Sequence, residues 1–125
     1  MARAFEPHQA SRAVGGDGAI SYEGRNGIII DPGRECWPQA EAVVGFLNAY
    51  ALSRGEKFLP AAQAVWKFIE TKLADRVHGE WFWKIHPDGT PDPTLPKVSE
   101  WKGPYHGTRA CLEIIRRGTP QTRRP

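Results

Sequence analysis

The chain has 125 residues, of which 40% are hydrophobic and 25% charged, so it fits one domain with a modest core, or part of one. Its formal net charge is +3. Much of that excess comes from four arginines near the C-terminus, and we therefore expect no nucleic-acid surface: Arg116, Arg117, Arg123 and Arg124.

Cysteine usage and hydropathy exclude further classes of protein. Cys36 and Cys111 lack CxxC spacing and matched histidines, which argues against a zinc site, and they suit a reducing compartment. No apolar run approaches the ~20 residues that a membrane span needs, and the N-terminus lacks the apolar stretch of a signal peptide. We expect a soluble, cytoplasmic protein with no membrane, metal or redox cofactor.

The first third of the chain predicts the end of a helix followed by a hairpin. Residues 2–14 resemble the end of a weakly periodic helix that two glycines stop. Residues 19–23 alternate and residues 27–30 are β-branched, and an Asn-Gly turn signal lies between them, which is typical of a small hairpin. Residues 31–36 are predicted to be a loop.

Two helices are predicted next. The first covers residues 38–53, because Pro38 suits a first helical turn and Gly55 ends the pattern. The second covers residues 59–76. The apolar stripe of the first consists of Val43, Phe46, Leu47 and Tyr50. In the second, helical spacing relates Ala62, Val65, Trp66, Ile69 and Leu73, with Lys67, Glu70, Thr71 and Lys72 on the polar side.

A second short strand or hairpin is predicted over residues 80–86. On a strand Trp81 and Trp83 face one side, and Glu80 and Phe82 face the other. Core packing explains most Trp-Phe-Trp runs, so we favour core packing over ligand binding for these two tryptophans.

A third helix is predicted over residues 107–117, with Gly118 as its cap. Its apolar face consists of Ala110, Cys111, Ile114 and Ile115. The resulting mainly α order, with hairpins between helices, suggests an α/α toroid or a stacked helical array. Three or four helices cannot close a toroid, so the pattern indicates an open piece of a larger helical fold.

One helical stripe combines an aromatic ring, a carboxylate and an amide. Trp37, Glu41, Val44 and Asn48 stand at i, i+4, i+7 and i+11. Glu41 there could simply compensate the helix dipole. The alternative is a carbohydrate site, since sugars stack their C–H faces on tryptophan and offer hydroxyls to carboxylates and amides.

A candidate proton-transfer residue lies where a loop becomes the third helix. An ordinary histidine titrates near pH ~6.5, so His106 could take or give a proton near neutrality. Arg109 lies about one turn further on, and its cation would favour the neutral imidazole that a base requires. Taken alone, a histidine is more often structural or on the surface than catalytic.

Three segments together resemble the N-acylglucosamine 2-epimerase family, which includes cellobiose 2-epimerases and aldose–ketose isomerases acting on mannose. They are WPQAEAVVGFLNAY from Trp37, DRVHGEWFWKIHPDGTP from Asp75 and KVSEWKGPYHGTRACLEIIRR from Lys97. The resemblance implies an (α/α)6 barrel with a sugar in a central pocket. It also implies that a histidine removes the C2 proton of the opened sugar to form an enediolate. Proton return to the other face of C2 gives the epimer, and return to C1 gives the ketose.

The resemblance also implies roles for individual residues. His106 matches one of the family's two catalytic histidines. Trp37, Glu41 and Trp101 match groups that contact the sugar, and Arg109 follows the motif histidine as in the family. The implied substrates are 2-epimers such as N-acylglucosamine and N-acylmannosamine.

The chain departs from the family pattern at several points. Cys36 replaces the first of two tryptophans, and Gly107 replaces an asparagine. The His-x-x-Glu-Trp segment that carries the other histidine does not occur in the sequence. We therefore expect residues 1–118 to be the C-terminal portion of such a barrel, truncated and with reduced or no activity alone, and residues 119–125 to be a disordered basic tail. Weak stability as a monomer, homo-oligomers, or association with the missing N-terminal part would follow.

Two other functions remain open at this stage. A carbohydrate-binding remnant would keep the Trp37/Trp101 platform without turnover. A helical scaffold would use all its tryptophans in the core, and replacing His106 or Glu41 by alanine would then leave sugar binding unchanged.

Overall fold

A computed structural model describes residues 14–118. The predicted tail over 119–125 and nearly all of the predicted N-terminal helix lie outside the described residues. Val14, the last residue of that predicted helix, forms a β-bridge with Ile20 instead. In chain order the elements are β1 (Glu23–Arg25), β2 (Ile28–Asp31), β3 (Arg34–Glu35), α1 (Cys36–Ser53), α2 (Phe58–Phe68), a π-helical turn (Ile69–Leu73), β4 (Lys84–Ile85) and α3 (Tyr105–Gly118).

The predicted hairpin is confirmed, although its first strand is shorter. β1 and β2 are antiparallel around Asn26 and Gly27, whose φ angles of 52° and 79° are those of a tight hairpin turn. The strand does not include residues 19–22. Ala19 is buried instead, and the backbone of Ile20 exchanges two 2.8 Å hydrogen bonds with the buried side-chain amide of Gln39.

The loop predicted over residues 31–36 contains a strand that pairs across the fold. β3 pairs antiparallel with β4, which is the part of the predicted strand over residues 80–86 that forms a ladder. This pairing joins segments about fifty residues apart, so no local sequence pattern predicts it. Immediately after it, the Cys36 N–H donates to the Trp83 carbonyl at 2.8 Å, so the sheet fixes the N-terminus of α1 beside Trp83.

The two predicted central helices are confirmed, with shifted ends. α1 begins two residues before Pro38, and Arg54, rather than Gly55, takes the left-handed conformation that ends it (φ 54°). The second helix continues through the π-helical turn and ends at Leu73, where Ala74 takes an extended conformation (ψ 122°). The Asp75 carboxylate then accepts the backbone N–H groups of Val77 and His78 in a turn that does not continue the helix. The main core between these helices includes Val43, Val65, Phe68, Ile69, Leu73 and Ile85.

α3 packs against α1 through small residues. Ala110 is buried against Ala40 and Val44 of α1. Ile115, predicted on the apolar face, is 63% exposed, so that face is narrower than its sequence suggested. Gly118, predicted as a cap, is instead the last helical residue of the described range. No helix among residues 14–118 has the length and apolarity to cross a bilayer.

Candidate functional site

A cavity of about 830 Å³ opens where the N-termini of α1 and α3 meet the chain between α2 and β4. Of the five predicted site residues, Trp37, Trp101 and His106 line it. Glu41 and Arg109 are not in its lining, and Glu41 contacts both His106 and Arg109. The cavity is rich in indole rings, since its wall also includes Trp81 and Trp83.

The Glu41 carboxylate holds the His106 imidazole across the two helices. Oε1 of Glu41 lies 2.8 Å from Nδ1 of His106. This hydrogen bond is the largest cause of the lowered pKa of Glu41, and Arg109 contributes in the same direction against the effect of burial. Since an ionised carboxylate only accepts, Nδ1–H is the donor. In the neutral imidazole Nε2 then carries the lone pair, and it has no hydrogen bond within residues 14–118.

Arg109 completes this network from the same side of α3. Its Nη1 lies 3.1 Å from Oε1 and 2.8 Å from Oε2 of Glu41, and the pairing raises the pKa of the guanidinium. The Glu41 carboxylate therefore accepts hydrogen bonds from both a histidine and an arginine. Arg109 does not act on His106 as an isolated cation, because Glu41 compensates its charge directly.

Two aromatic rings flank the imidazole. The ring centroids of Trp37 and His106 are 5.9 Å apart at 44°, and those of Tyr105 and His106 are 5.0 Å apart in an edge arrangement. Tyr22 from the segment before β1 meets Trp37 edge-on at 6.5 Å. With Glu41 behind it, the imidazole is thus restrained from three directions, which favours one ring orientation.

The predicted helical stripe of α1 faces α3 along its whole length. Trp37 and Glu41 contact His106, Val44 packs on Ala110, and Asn48 receives a hydrogen bond from Arg117. The stripe therefore does more than compensate the helix dipole. Only its first part reaches the cavity, because Asn48 lies far along α1 from the lining residues.

The second tryptophan pair combines core packing with cavity lining. Trp81 packs against both core clusters and meets Trp66 edge-on at 6.5 Å. Trp81 and Trp83 both line the cavity, as expected from their spacing. The predicted opposite orientation of Glu80 is wrong. Its positive φ of 62° breaks the strand alternation, and Glu80 lines the cavity as well.

The two substituted positions of the family pattern border this cavity. Cys36 and Gly107 line it, and a Cβ at position 107 would meet the Trp81 ring at 3.4 Å. The Trp81 indole therefore lies directly against the first turn of α3. Burial raises the pKa of the Cys36 and Cys111 thiols, so neither is activated as a nucleophile.

Sequence reasoning did not identify Glu80 and Lys102 as cavity residues. Lys102 lines the cavity although it is buried, and its ammonium lies 3.3 Å from Oε1 of Glu80. The alternation predicted over residues 80–86 placed Glu80 on the side opposite Trp81 and Trp83, and Lys102 belongs to no periodic pattern. The Gly79-Glu80 turn that orients Glu80 has no residue type that signals a left-handed glutamate.

Comparison with known proteins gives one consistent result. The family model for N-acylglucosamine 2-epimerase (GlcNAc 2-epimerase) matches residues 6–110. The cellobiose 2-epimerase of Dictyoglomus turgidum is 52% identical over 90 residues, covering 71% of this chain and 23% of that protein. That of Ruminococcus albus is 48% identical over 103 residues, covering 82% of this chain and 26% of that protein.

Solved structures agree with the sequence comparison. The cellobiose 2-epimerase of Bacillus thermoamylovorans superimposes with a TM-score of 0.78 at 41% identity, covering 86% of this chain and 28% of that one. A sugar epimerase from a ruminal bacterium gives 0.77 at 44% identity, covering 86% of this chain and 27% of that one. These neighbours are (α/α)6 barrel epimerases, which confirms the predicted fold class. The chain spans about a quarter of the length of the curated relatives it matches.

The Glu41 network predicts a pH-dependent contribution to stability. The folded pKa of Glu41 lies below its ordinary value of 4.5, so the network stabilises the fold above that pH and is lost as the pH falls through the folded value. Glu41→Gln should therefore lower the free energy of unfolding at pH 7, by no more than about 1 kcal/mol for this half-exposed group. The difference from wild type should shrink towards pH 3 in urea titrations.

The control for this measurement is Glu70→Gln, which changes an exposed glutamate on the π-helical turn that continues α2. It should leave stability unchanged at both pH values. A Glu41→Gln effect of equal size at pH 7 and pH 3 would contradict the ionised network.

Proposed function

The chain belongs to the N-acylglucosamine 2-epimerase family, and from that premise we propose that it carries one proton-transfer face of a sugar 2-epimerase. The observation that carries the proposal is His106. Its Nδ1 is bonded to Glu41 at 2.8 Å, its Nε2 has no hydrogen bond within residues 14–118, and the residue lines an aromatic cavity. A base needs these features together: a fixed tautomer, an available lone pair and space for a substrate.

In the proposed reaction, the aromatic side chains of the cavity wall bind the sugar and the His106 imidazole abstracts its C2 proton. The apolar face of an aldose stacks on Trp37 and Trp101, which are 44% and 83% exposed and so offer free ring surface. In the open-chain sugar, Nε2 of His106 takes the proton from C2. The C2–H electron pair forms the C1–C2 double bond of an enediolate, and the carbonyl π electrons move to the C1 oxygen. Glu41 stabilises the imidazolium that results.

The fate of the enediolate decides the product. Return of the proton to the opposite face of C2 gives the epimer, whereas return to C1 gives the ketose. One imidazole serves one face, so epimerisation also requires a donor on the other side of the sugar. We propose that this donor is supplied by the rest of a barrel. A single base still exchanges the C2 proton with solvent, because it can return a solvent-derived proton to the face it came from.

Cellobiose is the first substrate to test. The relatives with 48–52% identity are named cellobiose 2-epimerases. The N-acylglucosamine/N-acylmannosamine pair implied by the sequence resemblance, and mannose, are the alternatives. The cavity of about 830 Å³ has room for a sugar of any of these sizes, so its volume does not choose among them.

The proposal predicts solvent exchange at C2. Incubated with cellobiose in D2O, the chain should introduce deuterium at C2 of the reducing-end glucose, measured by proton NMR and mass spectrometry. His106→Gln should slow this exchange by at least about 100-fold, the usual contribution of a general base. The matched control is His86→Gln, since His86 pairs with Asp92 and is not in the cavity lining. No exchange above the uncatalysed rate with cellobiose, mannose or N-acetylmannosamine would refute the catalytic proposal.

A carbohydrate-binding role without turnover is the second candidate. The four cavity tryptophans favour it, because a stacking platform binds sugar whether or not a second proton donor is present. Sugar-dependent tryptophan fluorescence combined with an absence of deuterium exchange would favour this function over the first.

We also propose that the chain associates with further barrel helices or with itself. Several strand and helix residues of the described fold expose large apolar side chains to solvent, among them Ile28 (69%), Leu112 (60%) and Tyr105 (67%). In isolation the chain should self-associate, with a sedimentation coefficient that rises with concentration. A clean monomer with a sharp, concentration-independent thermal transition would contradict this expectation.

A further inference from the structure

A buried lysine holds a glutamate in the wall of the cavity. The Lys102 side chain is only 5% exposed, and its ammonium donates to the Lys97 carbonyl at 2.6 Å and to Oε1 of Glu80 at 3.3 Å. Burying an ammonium is costly unless it is paired and hydrogen-bonded. Glu80 supplies the opposite charge, so these two residues depend on each other.

The backbone at Glu80 is held in an unfavourable conformation. Its φ is 62° and follows the left-handed Gly79 at 76°. A non-glycine residue in this region costs roughly 1 kcal/mol or more, and such positions cluster at functional sites. Because of this left-handed backbone conformation, the Glu80 side chain does not follow the alternation of a strand and instead lines the cavity.

One oxygen of Glu80 remains available to a ligand. Oε1 accepts both the Trp81 N–H at 3.0 Å and the Lys102 ammonium, whereas Oε2 has no hydrogen bond within residues 14–118. The side chain is 41% exposed. Burial acts to raise the pKa of Glu80, but the Trp81 amide and Lys102 together lower it below its ordinary value. The group is therefore an ionised acceptor near neutral pH.

The segments that carry this pair are braced against each other. Lys97 forms an ion pair with Asp75 and donates to the Gly79 carbonyl at 3.0 Å. The loop before α3 is thereby tied to the Asp75–Glu80 turn at both lysines. Binding groups work best on such a preorganised support, since little conformational entropy is lost when a ligand binds.

We propose that Glu80 is a further sugar-binding residue of this cavity, with Oε2 accepting a hydrogen bond from a hydroxyl of the sugar, and that Lys102 is its positioning residue. The inference rests on the proposed function and adds a polar contact to the stacking surfaces. Its neighbour Trp81 lines the same cavity, so one turn presents a ring face and a carboxylate side by side. Sugars match this pairing because hydroxyls project from the edge of an apolar C–H face.

The test compares wild type and Glu80→Gln in binding cellobiose and a series of cellobiose analogues that each lack one hydroxyl. Glutamine keeps the size and an acceptor for the Trp81 N–H but removes the charge. We expect cellobiose to bind about tenfold more weakly to Glu80→Gln, as for loss of a hydrogen bond to a charged group. The analogue that lacks the hydroxyl hydrogen-bonded to Glu80 should bind wild type and Glu80→Gln with equal affinity. Glu70→Gln, outside the cavity, should match wild type throughout.

Lys102→Met tests the positioning role by the same pattern. Lys102→Met should weaken the binding of cellobiose and of every analogue that retains the hydroxyl bound by Glu80. Binding of the analogue that lacks this hydroxyl should not change, whereas a general loss of folding would weaken the binding of every ligand equally. Unchanged affinities in Glu80→Gln, or an equal loss for all analogues, would overturn the inference.

The result is separable from that of the proposed function. Deuterium exchange in wild type with an unaltered Glu80→Gln binding series would refute the role of Glu80 alone. If the affinities follow the expected pattern but wild type shows no deuterium exchange, the catalytic proposal is refuted and the proposed contact of Glu80 is supported.

Discussion

The Glu41 carboxylate is the interaction on which the candidate site depends. It lies in α1, receives Nδ1–H of His106 at 2.8 Å and receives the Arg109 guanidinium at 2.8 Å, both from α3. Small buried side chains, Ala40 and Ala110, let the two helices approach closely enough for these contacts. A carboxylate that accepts from both partners fixes the imidazole tautomer, leaves Nε2 available and places the ring in the cavity wall. Removing this carboxylate would leave an imidazole with no defined proton position.

The remaining architecture brings the two helix N-termini and the indole rings together. β3 pairs with β4, and the Cys36 N–H then bonds to Trp83, so the sheet sets where α1 begins. The π-helical turn and the Asp75 turn end α2 and redirect the chain to Glu80 and Trp81. Lys97 and Lys102 attach the following loop to this turn. Strain at Glu80 and a buried ammonium are unfavourable in isolation, and both occur beside the cavity.

Local patterns predicted the helices, the Asn26-Gly27 hairpin and the stripe from Trp37 to Asn48, because helical periodicity and turn chemistry act over a few residues. The family resemblance supplied the proposed role of His106, which its neighbours alone left open. What could not be predicted depends on contacts distant in sequence. The β3–β4 ladder, the Glu41–His106 bond and the Lys102–Glu80 pair join residues 22 to 65 positions apart. The left-handed Glu80 was missed because alternation was assumed to continue through it.

The tautomer of the His106 ring decides whether Nε2 can act as the base. Nitrogen-15 NMR of histidine-labelled protein distinguishes a protonated Nδ1 from a protonated Nε2 in the neutral imidazole. We predict that neutral His106 carries its proton on Nδ1, and that Glu41→Gln shifts the population towards the Nε2–H form that predominates in free histidine. A neutral His106 with its proton on Nε2 in the wild-type protein would contradict the proposed base, because Nε2 could then no longer accept the C2 proton of a sugar.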